Sequence, residues 1–427
     1  MLDLRETLAK AALVMAPMTK GSNLPYRRLA AELGARVLVS EMVVARRLKQ
    51  RRRAEFALVR RAPGEPCFAV QLAGTNPEEM AWAAAVAEAR GADFVDVNLG
   101  CPIDHFTRIG LGAALARQPN RVRKIVRTMA DRVKIPVTVK IRLGWNASRR
   151  NYLDVARAAV DGGAAGITVH GRTREARYRH PADWDAIAEV AAAVPVPVIG
   201  NGDLLFPQEV RDRIAASGCA AVMTARGALI KPWIFTELTR GYWDITADER
   251  LAIYRRYVRL AREHWGRVSR GGRASGQAGP NDEAFQAAEL GAAVPGAEPE
   301  GAAFQGAEPN GGAVPSAEPE GAAFQGAEPN GGAPVLDDYG RTRFREFLRW
   351  HVGFWCRYAP RHPDGTWPTM QTRESAFAAR SPLEALFART DDAALDYVTD
   401  QLLDDGQFEE PPAACLHVDE EDLVEAG

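Results

Sequence analysis

The chain has 427 residues, 46% of them hydrophobic and 26% charged, with a formal net charge of −1. That length exceeds one ordinary domain, and the composition is that of a globular protein with a large core, not of a disordered or collagen-like chain. No apolar run is long enough to span a bilayer, and Met1-Leu2-Asp3-Leu4-Arg5-Glu6 lacks a basic region followed by an apolar core, so a cytoplasmic protein without membrane association is expected. The cysteines Cys67, Cys101, Cys219, Cys356 and Cys415 are scattered and odd in number, with no CxxC pair, which argues against a disulfide framework and against any metal site. Charge is unevenly spread: residues 1–240 hold 37 Lys and Arg against 23 Asp and Glu, so the remainder is acidic. A basic body with acidic appendages points to a polyanionic partner.

Eight short apolar runs, at 13–18, 37–42, 67–72, 94–98, 136–141, 166–170, 196–199 and 220–223, read as buried strands. Alanine- and arginine-rich segments with helical spacing separate them, at 77–90, 120–133, 152–161, 184–193 and 207–216. This alternation predicts an α/β fold with parallel strands, a (β/α)8 TIM barrel over residues 1–240, a doubly wound open sheet being the alternative.

Nearly every strand ends in polar groups: Thr19-Lys20, Ser40-Glu41, Gln71, Asn98 with Cys101, Lys140 with Arg142, His170-Gly171-Arg172, Asn201-Gly202-Asp203 and Ala225-Arg226-Gly227. In a barrel these converge on one face, where active sites sit. Phe94-Val95-Asp96-Val97-Asn98 is a strand broken by Gly100-Cys101-Pro102, which leaves a thiol on a stiff turn. A free cysteine is as often a small buried hydrophobe; here its company favours a reactive group. Gly200-Asn201-Gly202-Asp203 followed by Ala225-Arg226-Gly227 fits the late-strand phosphate site of such barrels. No GxGxxG follows the first strand, so a tightly held Rossmann dinucleotide is not indicated.

Residues 248–265 read as an amphipathic helix. The stretch 269–334 is rich in Gly, Ala, Glu and Pro, and its segment 297–313 recurs as 317–333. It cannot bury enough surface to offset chain entropy, and a disordered insertion is expected. Helical order resumes near 337, with Phe344, Phe347, Leu348, Val352 and Trp355 on one face and Arg341, Arg345 and Arg349 as a stripe on another. The expected organisation is a barrel over 1–240, a helical domain from 241–268 and 335–403 (tRNA-binding, on the resemblance given next), the insertion, and an acidic disordered tail over 404–427.

Leu13-Val14-Met15-Ala16-Pro17-Met18, Val70-Gln71-Leu72, Asp96-x-Asn98-x-Gly100-Cys101-Pro102, Val139-Lys140-Ile141-Arg142-Leu143-Gly144, Val169-His170-Gly171-Arg172-Thr173 and Ile199-Gly200-Asn201-Gly202-Asp203, in that order, resemble the tRNA-dihydrouridine synthases. Cys101-Pro102-Ile103-Asp104, Ala225–Trp233 and Phe354-Trp355-Cys356-Arg357-Tyr358 are similar to the branch that eukaryotes use for the variable-loop uridine, without its zinc fingers. The resemblance implies bound FMN, NADPH as reductant, and reduction of the uridine C5–C6 bond in tRNA by a protein expected to be monomeric. It implies Cys101 as proton donor. It assigns Ala16, Pro17, Met18, Gln71, Lys140, His170, Asn201, Gly202, Asp203, Ala225 and Arg226 to FMN, and Asn98, Arg142, Arg172 and Thr173 to the substrate. Arg341, Arg345 and Arg349 are expected on the tRNA backbone. The alternatives are an FMN barrel acting on a small molecule, in the manner of dihydroorotate dehydrogenases or ene-reductases, and a non-catalytic RNA-binding barrel.

Overall fold

The computed structural model describes residues 2–266, 338–370 and 378–409. The expected insertion at 269–334 and the tail beyond 409 lie outside the described residues.

Nine strands form one parallel sheet: β1 (Leu13–Met15), β2 (Val37–Val39), β3 (Val43–Val44), β4 (Cys67–Ala73), β5 (Phe94–Leu99), β6 (Val137–Arg142), β7 (Gly166–His170), β8 (Val198–Asn201) and β9 (Ala221–Thr224). β1 pairs with both β2 and β9, and β2 pairs with β4, so the sheet closes on itself. β2 and β3 lie along successive parts of β4, Val37 opposite Cys67 and Val43 opposite Leu72. They are the halves of one broken stave, and the ring is an eight-staved (β/α)8 barrel. Strands covered on both faces carry unbroken apolar runs instead of alternating ones, as Leu13–Met15 and Ala221–Thr224 do, every residue buried.

The break in the second stave has a local cause. Ser40 uses its hydroxyl to accept the Gln71 amide at 3.1 Å and to donate to the Glu41 carbonyl at 2.8 Å. A side chain takes a position in the ladder, and Glu41 and Met42 leave the sheet.

Ordinary helix chemistry builds the outer wall. Pro77–Ala89 starts at Asn76, whose side chain accepts the amides of Glu78 and Glu79, with proline in the first turn. Pro119–Ala130 buries Val122, Ile125, Val126 and Met129, one stripe at helical spacing. After the barrel come Ala247–Trp265, Asp338–Trp355, Pro382–Phe387 and Asp392–Leu403. The described residues before 266 and after 337 form one compact unit. Arg256 grips Glu32 of the barrel helix Leu24–Glu32 through two hydrogen bonds of 2.8 and 2.7 Å. Tyr254 stacks on Trp355 with centroids 4.1 Å apart, and Tyr26 of the barrel stacks on His351 at 4.7 Å.

Candidate active site

A cavity opens at the C-terminal ends of the staves. Its lining includes Ala16, Pro17 and Met18 after β1, Gln71 on β4, Asn98 and Cys101 at the end of β5, and Lys140 and Arg142 on β6. His170 and Arg172 from β7, Asn201, Gly202 and Asp203 from β8, and Ala225 and Arg226 after β9 complete it. Of the predicted barrel residues only Thr173 falls outside. Met42, Tyr178 and Met370 line the cavity without having been anticipated.

Cys101 is held by a chain of buried polar groups. Thr138 donates to Asp96 at 2.7 Å, and Gln71 Nε2 donates to the other Asp96 oxygen at 2.8 Å. Gln71 Oε1 accepts from Asn98 Nδ2 at 2.8 Å, and Asn98 Oδ1 accepts the amides of Gly100 and Cys101 at 3.2 and 3.0 Å. Every side-chain amide group is used, so Asn98 has one orientation. From outside, the short helix Gly112–Arg117 closes on the turn, with Ala113 N–H bonded to the Cys101 carbonyl at 3.1 Å. Gly112 has φ +59°, and a Cβ there would stand 2.7 Å from the Cys101 oxygen, so only glycine allows this approach. Residues 105–112 carried no recognised role in the sequence; Gly110-Leu111-Gly112 was the available signal.

Positive charge gathers around the thiol. Arg142 is 6% exposed, and its Nε and Nη1 bind the carbonyls of Gly100 and Thr173 at 2.9 and 3.1 Å, leaving Nη2 for a ligand. Neither Arg142 nor Lys140 has a carboxylate partner within ion-pair distance among the described residues. Burial, reinforced by Arg142, pushes the Lys140 ammonium down to about 8. Burial pushes the Cys101 thiol up, against the Ile103 amide and the charges of Arg142 and Lys140. The thiol therefore keeps its proton at neutral pH. Burial and the cations Arg142, Lys140, Arg172 and Arg226 hold His170 well below its ordinary value, so its ring is neutral. Arg172 Nη1 lies 3.4 Å from His170 Nε2. Arginine can only donate, which puts the ring proton on Nδ1.

Two residues assigned to the substrate also brace the cavity wall. Arg172 is 2% exposed; it donates to both Asp203 oxygens at 2.8 and 2.6 Å and to the His180 carbonyl at 2.6 Å. Thr173 accepts Arg142 on its carbonyl and the Ala176 amide on its hydroxyl at 3.1 Å. Asp203 is likewise engaged by Arg172, by Arg226 at 3.4 Å and by the Ala182 amide at 2.8 Å. It buttresses the turn.

The turn itself suits an anion. Gly202 has φ +142°, and a Cβ there would lie 2.4 Å from Ala182; at Gly227 a Cβ would fall 1.9 Å from the Leu204 carbonyl. Side chains are excluded at both points, and backbone amides line the gap. The amides of Gly202 and Asp203 donate to no protein acceptor among the described residues. Arg226 lies across the Tyr178 ring, 3.9 Å from its centroid.

The arginine stripe, expected on the tRNA backbone, is paired with acidic side chains. Arg341 pairs with Asp404, Arg345 with Asp396 and Asp400 at 3.0 and 2.6 Å, and Arg349 with Asp392 and with Asp396 at 2.9 Å. The helix Asp392–Leu403 repeats aspartate every four residues and matches the arginines rung for rung.

Among the described residues no helix is long and apolar enough to cross a membrane, and no group of three or more His, Cys, Asp or Glu could hold a metal ion. A family model described as dihydrouridine synthase matches residues 14–279. The tRNA-dihydrouridine(47) synthase (NAD(P)(+)) of Cryptococcus neoformans var. neoformans serotype D is 41% identical over 278 residues, 60% of this chain and 38% of that one. A protein of Oryza sativa subsp. japonica with the same name plus "-like" is 39% identical over 277 residues, 63% and 39% of the two chains. Its Homo sapiens counterpart is 41% identical over 265 residues, 61% and 41%. The chain thus spans about two fifths of the length of these curated relatives. The solved structure of histamine dehydrogenase from Rhizobium sp. 4-9 overlaps 62% of this chain and 53% of its own at 12% identity, with a TM-score of 0.42, too remote a likeness to bear on chemistry.

Proposed function

The chain belongs to the dihydrouridine synthase family, and from that premise we propose that it reduces the C5–C6 double bond of uridine in tRNA, with FMN bound in the barrel mouth and NADPH as reductant. The names of its relatives make uridine 47 the first position to test.

The residues present fit the cofactor. The side-chain-free gap at Gly202 and Gly227, with the amides of Gly202 and Asp203 and the Arg226 guanidinium beside it, suits a phosphate monoester. Ala16, Pro17 and Met18 offer an apolar wall to a flat ring, and Gln71, Lys140 and His170 offer it polar groups. When bound, the flavin supplies the hydride, which no amino acid carries.

What the chain itself supplies is the proton and the field. Hydride arriving at C6 builds negative charge toward C5 and O4 of the base. Cys101 gives its S–H proton to C5, the C5–H bond forms, and the thiolate is reprotonated from solvent. Lys140 and the free Nη2 of Arg142 stabilise the developing charge. The single observation that carries this reading is the meeting, in one cavity, of a protonated thiol on a fixed turn with two cations that lack carboxylate partners. The test is anaerobic: protein loaded with FMN, reduced by NADPH and mixed with unmodified tRNA should reoxidise while dihydrouridine forms. Flavin that NADPH reduces but tRNA never reoxidises would overturn the proposal.

A further inference from the structure

We propose that the RNA backbone is gripped at the barrel rim by Arg46, Lys49, Arg51 and Arg52, and not by the arginine stripe of Asp338–Trp355; this rests on the RNA substrate proposed above.

The position is favourable. Helix Ala45–Lys49 starts directly after β3, whose residues lie beside Leu72 and Ala73, the end of β4 nearest the cavity. Met42, three residues before the helix, lines the cavity. The bend that follows is well anchored. Ala45 and Leu48 are fully buried, the Glu55 carboxylate accepts the Val44 amide at 2.8 Å, and the Arg51 and Arg52 amides bond to the Leu48 and Arg47 carbonyls at 2.9 and 3.1 Å.

On this fixed arc Arg46, Arg47, Lys49, Arg51, Arg52 and Arg53 are all exposed. Arg47 stands 3.8 Å from Glu55, and Arg53 has an interaction of its own. Arg46, Lys49, Arg51 and Arg52 have no carboxylate partner within ion-pair distance among the described residues. Four unneutralised cations within seven positions repel one another and add nothing to the fold. The stripe is the opposite case, since each of its arginines must leave an aspartate before it can meet a phosphate. Cations spread along one short helix and the turn that follows it suit a row of separate phosphates, which is how a nucleic-acid backbone presents its charge.

The test uses the full-length FMN-loaded protein and an unmodified tRNA transcript, with affinity measured across a range of salt concentrations. In a variant carrying Arg46→Gln, Lys49→Gln, Arg51→Gln and Arg52→Gln, the slope of log affinity against log salt should shrink by about 3, with affinity at low salt down about tenfold or more. NADPH should reduce its flavin at the parent rate, which shows the site intact. Replacing the three arginines by lysine with Lys49 kept should preserve the slope, and Arg341→Gln with Arg345→Gln and Arg349→Gln should leave it at the parent value. A parent slope in the four-site variant, or a slope lost in the stripe variant, overturns the inference while turnover by the parent protein still stands. A parent protein that neither binds nor converts tRNA overturns the substrate reading and this surface with it.

Discussion

The proposed role of Cys101 as proton donor makes two demands: the sulfur must hold its proton and must stay in place. Burial meets the first by raising the thiol above its ordinary value. Asn98 meets the second by taking the Gly100 and Cys101 amides. Cys101→Ala keeps the Asn98 bonds to the turn's amides and loses only the Ile103 amide's bond to sulfur, so the variant should fold, hold FMN and accept electrons from NADPH. Its reoxidation by tRNA should fall by about 10²–10⁴-fold, the worth of a positioned acid. Stopped-flow absorbance of prereduced enzyme reads this directly, and a parent rate in a step shown to be chemistry would return Cys101 to a structural role. Lys140 adds a pH dependence. Its folded value, about 8, lies below the ordinary value of about 10.4. Below about 8 the folded and unfolded chains both carry the proton, and the burial penalty is full. Between about 8 and 10.4 the folded chain has released a proton that the unfolded chain keeps, so stability gains with rising pH. Flavin-free Lys140→Met should therefore melt above the parent at pH 7, with the gap closing as pH passes 8 toward 10. A gap that stays constant over that interval would contradict the assignment.

At the scale of single elements, the helices Asp338–Trp355 and Asp392–Leu403 are joined by a ladder of ion pairs. Their charged side chains are between about a third and four fifths exposed, so each pair contributes only about 0–1 kcal/mol. Arg341→Gln with Arg345→Gln and Arg349→Gln should lower the melting temperature by a few degrees, and high salt should shrink the difference. An unchanged melting temperature would mean that the ladder is decorative. The same ladder shows where sequence reading stops. Strands β4 to β9 were legible because barrel strands covered on both faces are short apolar runs, and their polar ends located the cavity. The stripe was legible as a stripe, but its partners lie some fifty residues further along the chain, and pairing at that distance has no local signature. Likewise Val37-Leu38-Val39-Ser40-Glu41-Met42 reads as one strand because nothing in it announces that Ser40 will take the Gln71 amide. Asp96 was read as a motif letter, and its role in orienting Gln71 appears only when β4, β5 and β6 lie side by side.

For the molecule as a whole, barrel and C-terminal helices are coupled close to the site. Tyr26 stacks on His351 and donates its hydroxyl to the Ala228 carbonyl at 2.9 Å, in the helix that begins beside the phosphate turn. A Cβ on Gly21 would stand 3.2 Å from Trp350, and Met370 reaches the cavity itself. The helical part should therefore unfold with the barrel in one transition. It is nonetheless assembled from two stretches of chain, Ala247–Trp265 and Asp338–Trp355. These meet near the junction, with the Trp265 ring 5.5 Å from Phe344 and 5.7 Å from Phe347. A few residues suffice to bridge such a gap. Closing a loop carries an entropy cost that grows with the logarithm of its length, so shortening it about ninefold favours the folded state by roughly 2 kcal/mol. Replacing residues 267–336 with a short Gly/Ser linker should therefore leave the melting temperature equal to the parent's or higher. FMN content, flavin reduction by NADPH and reoxidation by tRNA should all persist. If the replaced protein loses its thermal transition, the segment is needed for the fold; if it melts normally but no longer reoxidises with tRNA, the segment is needed by the substrate. Either result would refute the expectation that the two helices alone complete the module.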